Sequence, residues 1–227
     1  MNRPAKAGQP VTRYELPESG ITLLGYVVRR MHKTKLLESV PALLQTGQSG
    51  EALVQIALYA AAASASFGPA FYQPAFNTVG ARVSEADPAT EALVTAWREE
   101  DNPHLVVGYD VEMPGGVRFT GREEITGTTI GLGSLGMPAP ARFQYTGPDG
   151  YSAELAGVIT SELTLRLFGR PGIRAQGRLS GRDSGGQAVR VLLGRDSMAV
   201  VGVEAPDGRT WKRVERLADW PGTVRAG

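Results

Sequence analysis

His104–Met113, HLVVGYDVEM, and Val117–Thr126, VRFTGREEIT, decide the fold class. In the first, Leu105, Val107, Tyr109, Val111 and Met113 share one face, with His104, Asp110 and Glu112 on the other. In the second, Val117, Phe119 and Ile125 oppose Arg118, Thr120, Arg122, Glu124 and Thr126. A period of two is what an antiparallel strand shows when one face packs on a core and the other meets water. Pro114-Gly115-Gly116 lies between the two runs and supplies the turn.

The same rhythm continues downstream in ARFQYT, YSAELAGVI, LTLRLF, IRAQGRLS, QAVRVLL and SMAVVGVEA. Pro148-Asp149-Gly150, Arg170-Pro171-Gly172, Ser184-Gly185-Gly186, Arg195-Asp196 and Pro206-Asp207-Gly208 separate these runs. Short strands divided by regular turn signals predict an antiparallel β-meander over residues 103–216, forming a barrel or sandwich.

Residues 20–102 have a different grammar, read as mainly helical, so the class expected is α+β with a helical N-terminal half. Ser49-Gly50-Glu51 opens an Ala-rich helix expected to run to about Ser66. Asp87-Pro88 resembles an N-cap followed by proline at the first helical position, with Leu93, Val94 and Trp97 then at helical spacing. Ile21–Leu44 is ambiguous: its β-branched start suits a strand, and Met31–Leu44 suits helix until Pro41 disturbs it. The whole segment leans helical. Residues 1–19 and 217–227 read as tails.

With 227 residues, 42% hydrophobic and 21% charged, the chain can bury a core of its own. Absence of cysteine excludes thiol catalysis, thiolate metal sites and disulfides. A net charge of +1 gives no global pull toward nucleic acid or membrane, so any such partner must be held by a local patch. Both partners are disfavoured on composition. The first residues lack an apolar run behind their charges, so no secretory signal is expected and the placement expected is cytoplasmic.

Gly131-x-Gly133-x-x-Gly136 has the spacing of a dinucleotide-binding turn. That turn needs a helix after its last glycine, and Met137-Pro138-Ala139-Pro140 follows instead. The glycines are expected to form a mobile loop or a bend at the sheet rim. Ser134 lacks the strand–turn–helix setting of a nucleophile elbow, and only His32 and His104 could serve as its base. Glu99, Glu100 and Asp101 before His104 make a weak metal-ligand set, better read as a solvated helix end. No metal or cofactor is expected.

Two features carry the functional expectations. Glu123 shares the inward face with Phe119, and a carboxylate there must be paired, hydrogen-bonded or protonated. It is either a polar anchor or general acid/base in a cavity with Phe119, Phe143, Tyr145 and Tyr151, or it is displaced outward by a β-bulge at Gly121 or paired with an arginine. Glycine in a strand favours the bulge. The other feature is charge. Arg29, Arg30, Lys33 and Lys35 form the densest basic run and the candidate anion site, and Arg118, Arg122, Arg142, Arg166, Arg174, Arg178 and Arg190 crowd the polar strand face.

The leading expectation is a non-catalytic binding or accessory protein. Its β-domain would hold an apolar small molecule or dock a partner subunit, another copy of the chain included, with the Ala-rich helix offered for burial. The alternatives are a cofactor-free isomerase or hydrolase using Glu123, and an anion- or nucleic-acid-binding accessory protein using the arginine face. Strand count alone resembles barrels that hold apolar ligands, and fold does not set function.

Overall fold

The computed structural model describes residues 25, 28, 31–71, 82–99, 105–127, 129–131, 134–164, 172–194 and 198–217. Among the described residues, helices α1 (Lys35–Gln45) and α2 (Ser49–Phe71) precede eleven strands. The strands are β1 (Arg82–Ala86), β2 (Leu93–Arg98), β3 (Leu105–Met113), β4 (Val117–Ile125), β5 (Thr129–Gly131) and β6 (Ser134–Thr146). They continue with β7 (Ser152–Thr164), β8 (Gly172–Asp183), β9 (Ala188–Leu193), β10 (Met198–Glu204) and β11 (Thr210–Arg216).

All pairings are antiparallel and follow chain order, β1-β2-β3-β4-β6-β7-β8-β9-β10-β11, with β5 paired only to the start of β6. The expected meander is present, and the turns at 114–116, 148–150, 184–186 and 206–208 fall where the sequence places them, while Arg170-Pro171 and Arg195-Asp196 lie outside the described residues. Gly115 and Gly116, for example, both take the left-handed backbone that the β3–β4 turn requires. Closure is not. Among the described residues β1 and β11 have one partner each and do not meet, so the sheet is open rather than a barrel.

The sheet folds over α2. Every residue of α2 from Ala52 to Ser64 is buried except Gln55, which is half-buried. A helix apolar on all sides belongs inside a protein. Strands β6 to β11 pack on it, and α1 covers it through Leu37 and Val40. The surface expected to dock a partner subunit is therefore occupied within the chain. Glycine on β7 and β8 lets the sheet bend tightly, because a Cβ at Gly157 or Gly181 would run into the backbone of the adjoining strand. At the other end of α2, Gly50 lies under the Trp211 ring, and Arg213 pairs with Glu51 at 2.5 Å.

A helical N-terminal half is also overturned: residues 82–98 form the β1–β2 hairpin. The capping signal at Asp87 is real, but it serves one turn. Its Oδ1 accepts the Ala89 N–H at 2.9 Å and its backbone oxygen accepts Glu91 N–H at 2.8 Å. Glu91 then adopts a φ of 59° and the chain reverses into β2. Val94 and Ala96 point inward at period two, a spacing the isolated helical pattern concealed. Thr34, before α1, donates to Asp87 Oδ2 at 2.5 Å and ties the helices to this turn.

Pro41 does not end α1, which runs to Gln45, and α2 continues past Gly68-Pro69 to Phe71. Among the described residues no helix is long and apolar enough to cross a membrane. Of Ile21–Arg30 only residues 25 and 28 are described, and the C-terminal tail beyond Leu217 lies outside the described residues.

Gly131 ends β5 and pairs with Ser134, while Gly136 lies within β6. The glycine motif is thus the corner of a hairpin, and Met137–Pro140 is strand rather than loop. The prolines are tolerated for a geometric reason. Thr126 N–H donates to Pro138 O at 3.3 Å, so that side of β6 faces the gap between β4 and β5. A strand residue points its N and O to the same side, and Pro140 repeats the direction of Pro138. Their missing donors therefore face a stretch where the partner strand is interrupted. On the other side both residues keep register with β7.

Candidate functional site

Glu123 is buried, 1% exposed, on the inner face of β4. No bulge displaces it: Gly121 pairs in register with Tyr109 on one side and Phe143 on the other. The glycine has a different task. A Cβ there would occupy the space of the Tyr109 ring, so Gly121 lets that ring lie flat across the strand and present its hydroxyl to Glu123. Tyr109 donates to Glu123 Oε1 at 3.2 Å.

Burial pushes the Glu123 carboxyl up from 4.5 to about 7, against smaller downward pulls from Ser64 and Tyr109. Ser64, on α2, therefore lies close enough to act on the carboxyl as a hydrogen-bond donor, although its Oγ falls short of full hydrogen-bond geometry there. Tyr109 is itself raised well above its ordinary value by burial and by the neighbouring carboxyl. The group is a small polar island: one carboxyl, one phenol and one hydroxyl, with hydrogen-bonding capacity to spare.

Along the inner face Ile125 lies two residues from Glu123 on β4, while Met137 on β6 and Ala175 on β8 stand in the row beyond it, with Ser161 between them. Ile125, Met137, Ala175 and Ala65 beside Ser64 are half-buried, as are Tyr151 and Trp211 elsewhere on that face.

The sequence-selected residues do not all gather here. Phe119 and Phe143 pack together with centroids 5.8 Å apart, and Tyr59 of α2 meets Phe119 edge-on at 4.8 Å. Tyr145 and Tyr151 pair at 6.1 Å. Tyr151 donates to Asp183 at 2.9 Å, while the buried Tyr145 hydroxyl has no described partner and burial pushes it up to about 12. Tyr145 is opposite Phe119, four residues from Glu123 along β4, hence about 13 Å away. The five residues thus span the inner face rather than one cluster.

Arg29 and Arg30 lie outside the described residues. Lys33 is buried and Lys35 exposed, so the part of the basic run that is described does not form one face. Arg166 is also outside them. Arg118, Arg122, Arg142, Arg178 and Arg190 occupy the outer sheet face, as the alternation requires. Arg118 binds Asp110 at 2.5 Å, and Arg122 spans Glu99 at 2.9 Å and Glu124 at 3.0 Å. An open groove of about 1180 Å³ crosses this face beside Arg122, Arg142 and Arg190, with Glu123 not among the residues lining it.

Sequence reasoning missed Tyr109 and Ser64. Tyr109 was visible only as one more inward residue, and no pattern in the sequence pairs it with Glu123 across a strand. Ser64 sits in an alanine tract whose facing strand cannot be read from spacing.

A solved structure shares this fold. The crystal structure of the Osh3 ORD in complex with PI(4)P from Saccharomyces cerevisiae matches 83% of this chain with a TM-score of 0.57 and 10% identity. The match covers 53% of that structure, so this chain spans about half its length. No family model and no curated protein matches the sequence. At this identity the likeness concerns the path of the chain.

Proposed function

We propose that this chain is a non-catalytic binding protein for a small, mainly apolar molecule that carries one polar group. The ligand seats its apolar body beside Ile125, Met137 and Ala175 and its polar group against Glu123, Tyr109 and Ser64. The observation that carries this reading is a buried carboxyl with a phenol and a hydroxyl gathered on it. Buried polar atoms are nearly always hydrogen-bonded, and Ser64 Oγ, although it lowers the Glu123 titration, does not reach full hydrogen-bond geometry with any described residue. A ligand hydroxyl or protonated acid would supply such a partner. The neighbouring fold solved with PI(4)P agrees with a role in holding a partly apolar molecule.

Native mass spectrometry of the purified chain, before and after exposure to a fluorescent fatty alcohol, tests the proposal. The expected result is one retained molecule per chain, with Ser64→Leu filling the polar spot and weakening retention at least tenfold. If no apolar species is retained by either preparation, the reading fails. One observation favours a second reading: a buried carboxyl held near 7 is suited to general acid or base work. Substrate turnover abolished by Glu123→Gln with binding intact would move the assignment from binder to cofactor-free enzyme.

A further inference from the structure

On the outer face of β7 to β11 the register aligns side chains into two neighbouring rows. One runs Arg142, Ala156, Ser180, Arg190, Gly202 and Lys212 across β6 to β11. The next runs Val158, Arg178, Leu192, Val200 and Val214 across β7 to β11. Rows two residues apart stand about 7 Å from one another.

Two features mark these rows. Arg118, Arg122, Arg209 and Arg213 are each matched by a carboxylate. Among the described residues no carboxylate lies within ion-pair distance of Arg142, Arg178, Arg190 or Lys212. The adjoining row Glu154, Arg182, Ala188 and Glu204 brings two acids and a further arginine, leaving a clear positive excess on the face. Arg178 and Arg190 stand diagonally across β8 and β9, about 7–8 Å apart, so an anion between them would be attracted by both. Second, large apolar side chains stand in water beside the charges: Val158 and Leu192 are 48% exposed and Val214 50%.

The small residues Ala156, Gly157 and Gly202 leave a groove of about 600 Å³ between the rows, lined by Arg178, Ser180, Arg190, Leu192 and Val200. One wall offers guanidinium and hydroxyl groups to a phosphate, and the other offers apolar surface to what the phosphate is attached to. Aromatic residues, on which unpaired bases would stack, are absent from both rows.

We infer that this outer face of β7 to β11 docks on an anionic phospholipid surface, taking lipid phosphates between Arg178 and Arg190 while Leu192 and Val200 meet the glycerol and upper acyl region. Cationic side chains give attraction that salt screens, and exposed aliphatic side chains give the part that salt does not remove. The inference is independent of the interior site, since the two faces of the sheet share no side chain.

Vesicle co-sedimentation tests it with the full chain. Phosphatidylcholine vesicles containing phosphatidylserine should pellet the protein, vesicles of phosphatidylcholine alone should not, and added salt should release most of it. Each basic residue near an anionic surface contributes about fivefold in affinity, so Arg178→Gln with Arg190→Gln should weaken binding roughly thirtyfold. Leu192→Ser should weaken it while leaving the salt dependence in place. Circular dichroism confirms that these exposed-face variants fold. Failure to pellet with phosphatidylserine, equal pelleting on neutral vesicles, or binding untouched by both variants would overturn the inference. So would salt-sensitive binding to an oligonucleotide without binding to vesicles.

Discussion

At the scale of single residues, Glu123 sets a pH dependence whose sign follows from its surroundings. Its carboxyl titrates near 4.5 when unfolded and about 7 in the fold. Between those values the folded chain binds the extra proton, so stability is greatest at the acid end and falls as pH rises through that window. Above it the loss levels off at roughly 3 kcal/mol, about 1.4 kcal/mol for each unit of displacement. Glu123→Gln keeps an acceptor for Tyr109 and removes the titration. Urea unfolding of the two proteins between pH about 4 and about 8 should show the variant gaining on the native chain with rising pH. Parallel profiles would mean that the carboxyl is solvated in the folded protein. Gly121 is the other sensitive position: Gly121→Ala drives a methyl group into the Tyr109 ring, with backbone on both sides to prevent relaxation. A destabilisation of about 2–3 kcal/mol is expected from equilibrium unfolding, where an outward glycine would tolerate the change.

At the scale of elements, α2 separates two accounts of an alanine-rich helix. On a surface, Ala→Leu is nearly neutral, because both residues favour helix. Ala60 is wholly buried in α2, so Ala60→Leu should overpack the space between helix and sheet and cost about 1–3 kcal/mol in urea unfolding. A neutral result would remove the sheet from around the helix. The same element shows what the sequence made legible. The start of α2 was readable because Ser49-Gly50-Glu51 acts locally, and β3, β4, β9 and β10 because alternation is local too. The β1–β2 hairpin was misread because a capping Asp also begins a single turn, and only the φ of Glu91 reveals that the helix stops there. Pro138 and Pro140 ruled out a helix after the glycines, but their place inside β6 was not legible, because sequence cannot show that the neighbouring strand is interrupted beside them. Period two placed Glu123 on the inward face, but Gly121 argued for a bulge that the register does not contain. Its partners were not legible, since Tyr109 meets Glu123 across a strand boundary and Ser64 from a helix that folds over from far away in the chain.

At the scale of the whole molecule, charge and cooperativity both depend on relations that run across the sheet. A total of +1 conceals sorting among the described residues: acids pair with arginines around β3 and β4, while Arg178, Arg190 and Lys212 on β8, β9 and β11 have no carboxylate within ion-pair distance. Cooperativity has a similar origin. The strands pair mainly with chain neighbours, so hairpins could in principle persist piecemeal. Helix α2 prevents this, because it touches β6 through β11 and has no exposed face on which to stand alone. Loss of any large part of the sheet would leave a band of alanine, leucine and isoleucine in water, which is unfavourable at about 25 cal/mol per Å². Helix and sheet should therefore unfold together. Trp211 covers Gly50 at the start of α2 and reports on that contact. In a chain carrying Trp97→Phe and Trp220→Phe, urea titration followed by Trp211 fluorescence and by helical circular dichroism should give coincident midpoints, the mark of a two-state transition. Helical signal that outlasts the fluorescence change would show that α2 keeps its structure after the sheet has left it, against the burial on which its apolar composition depends.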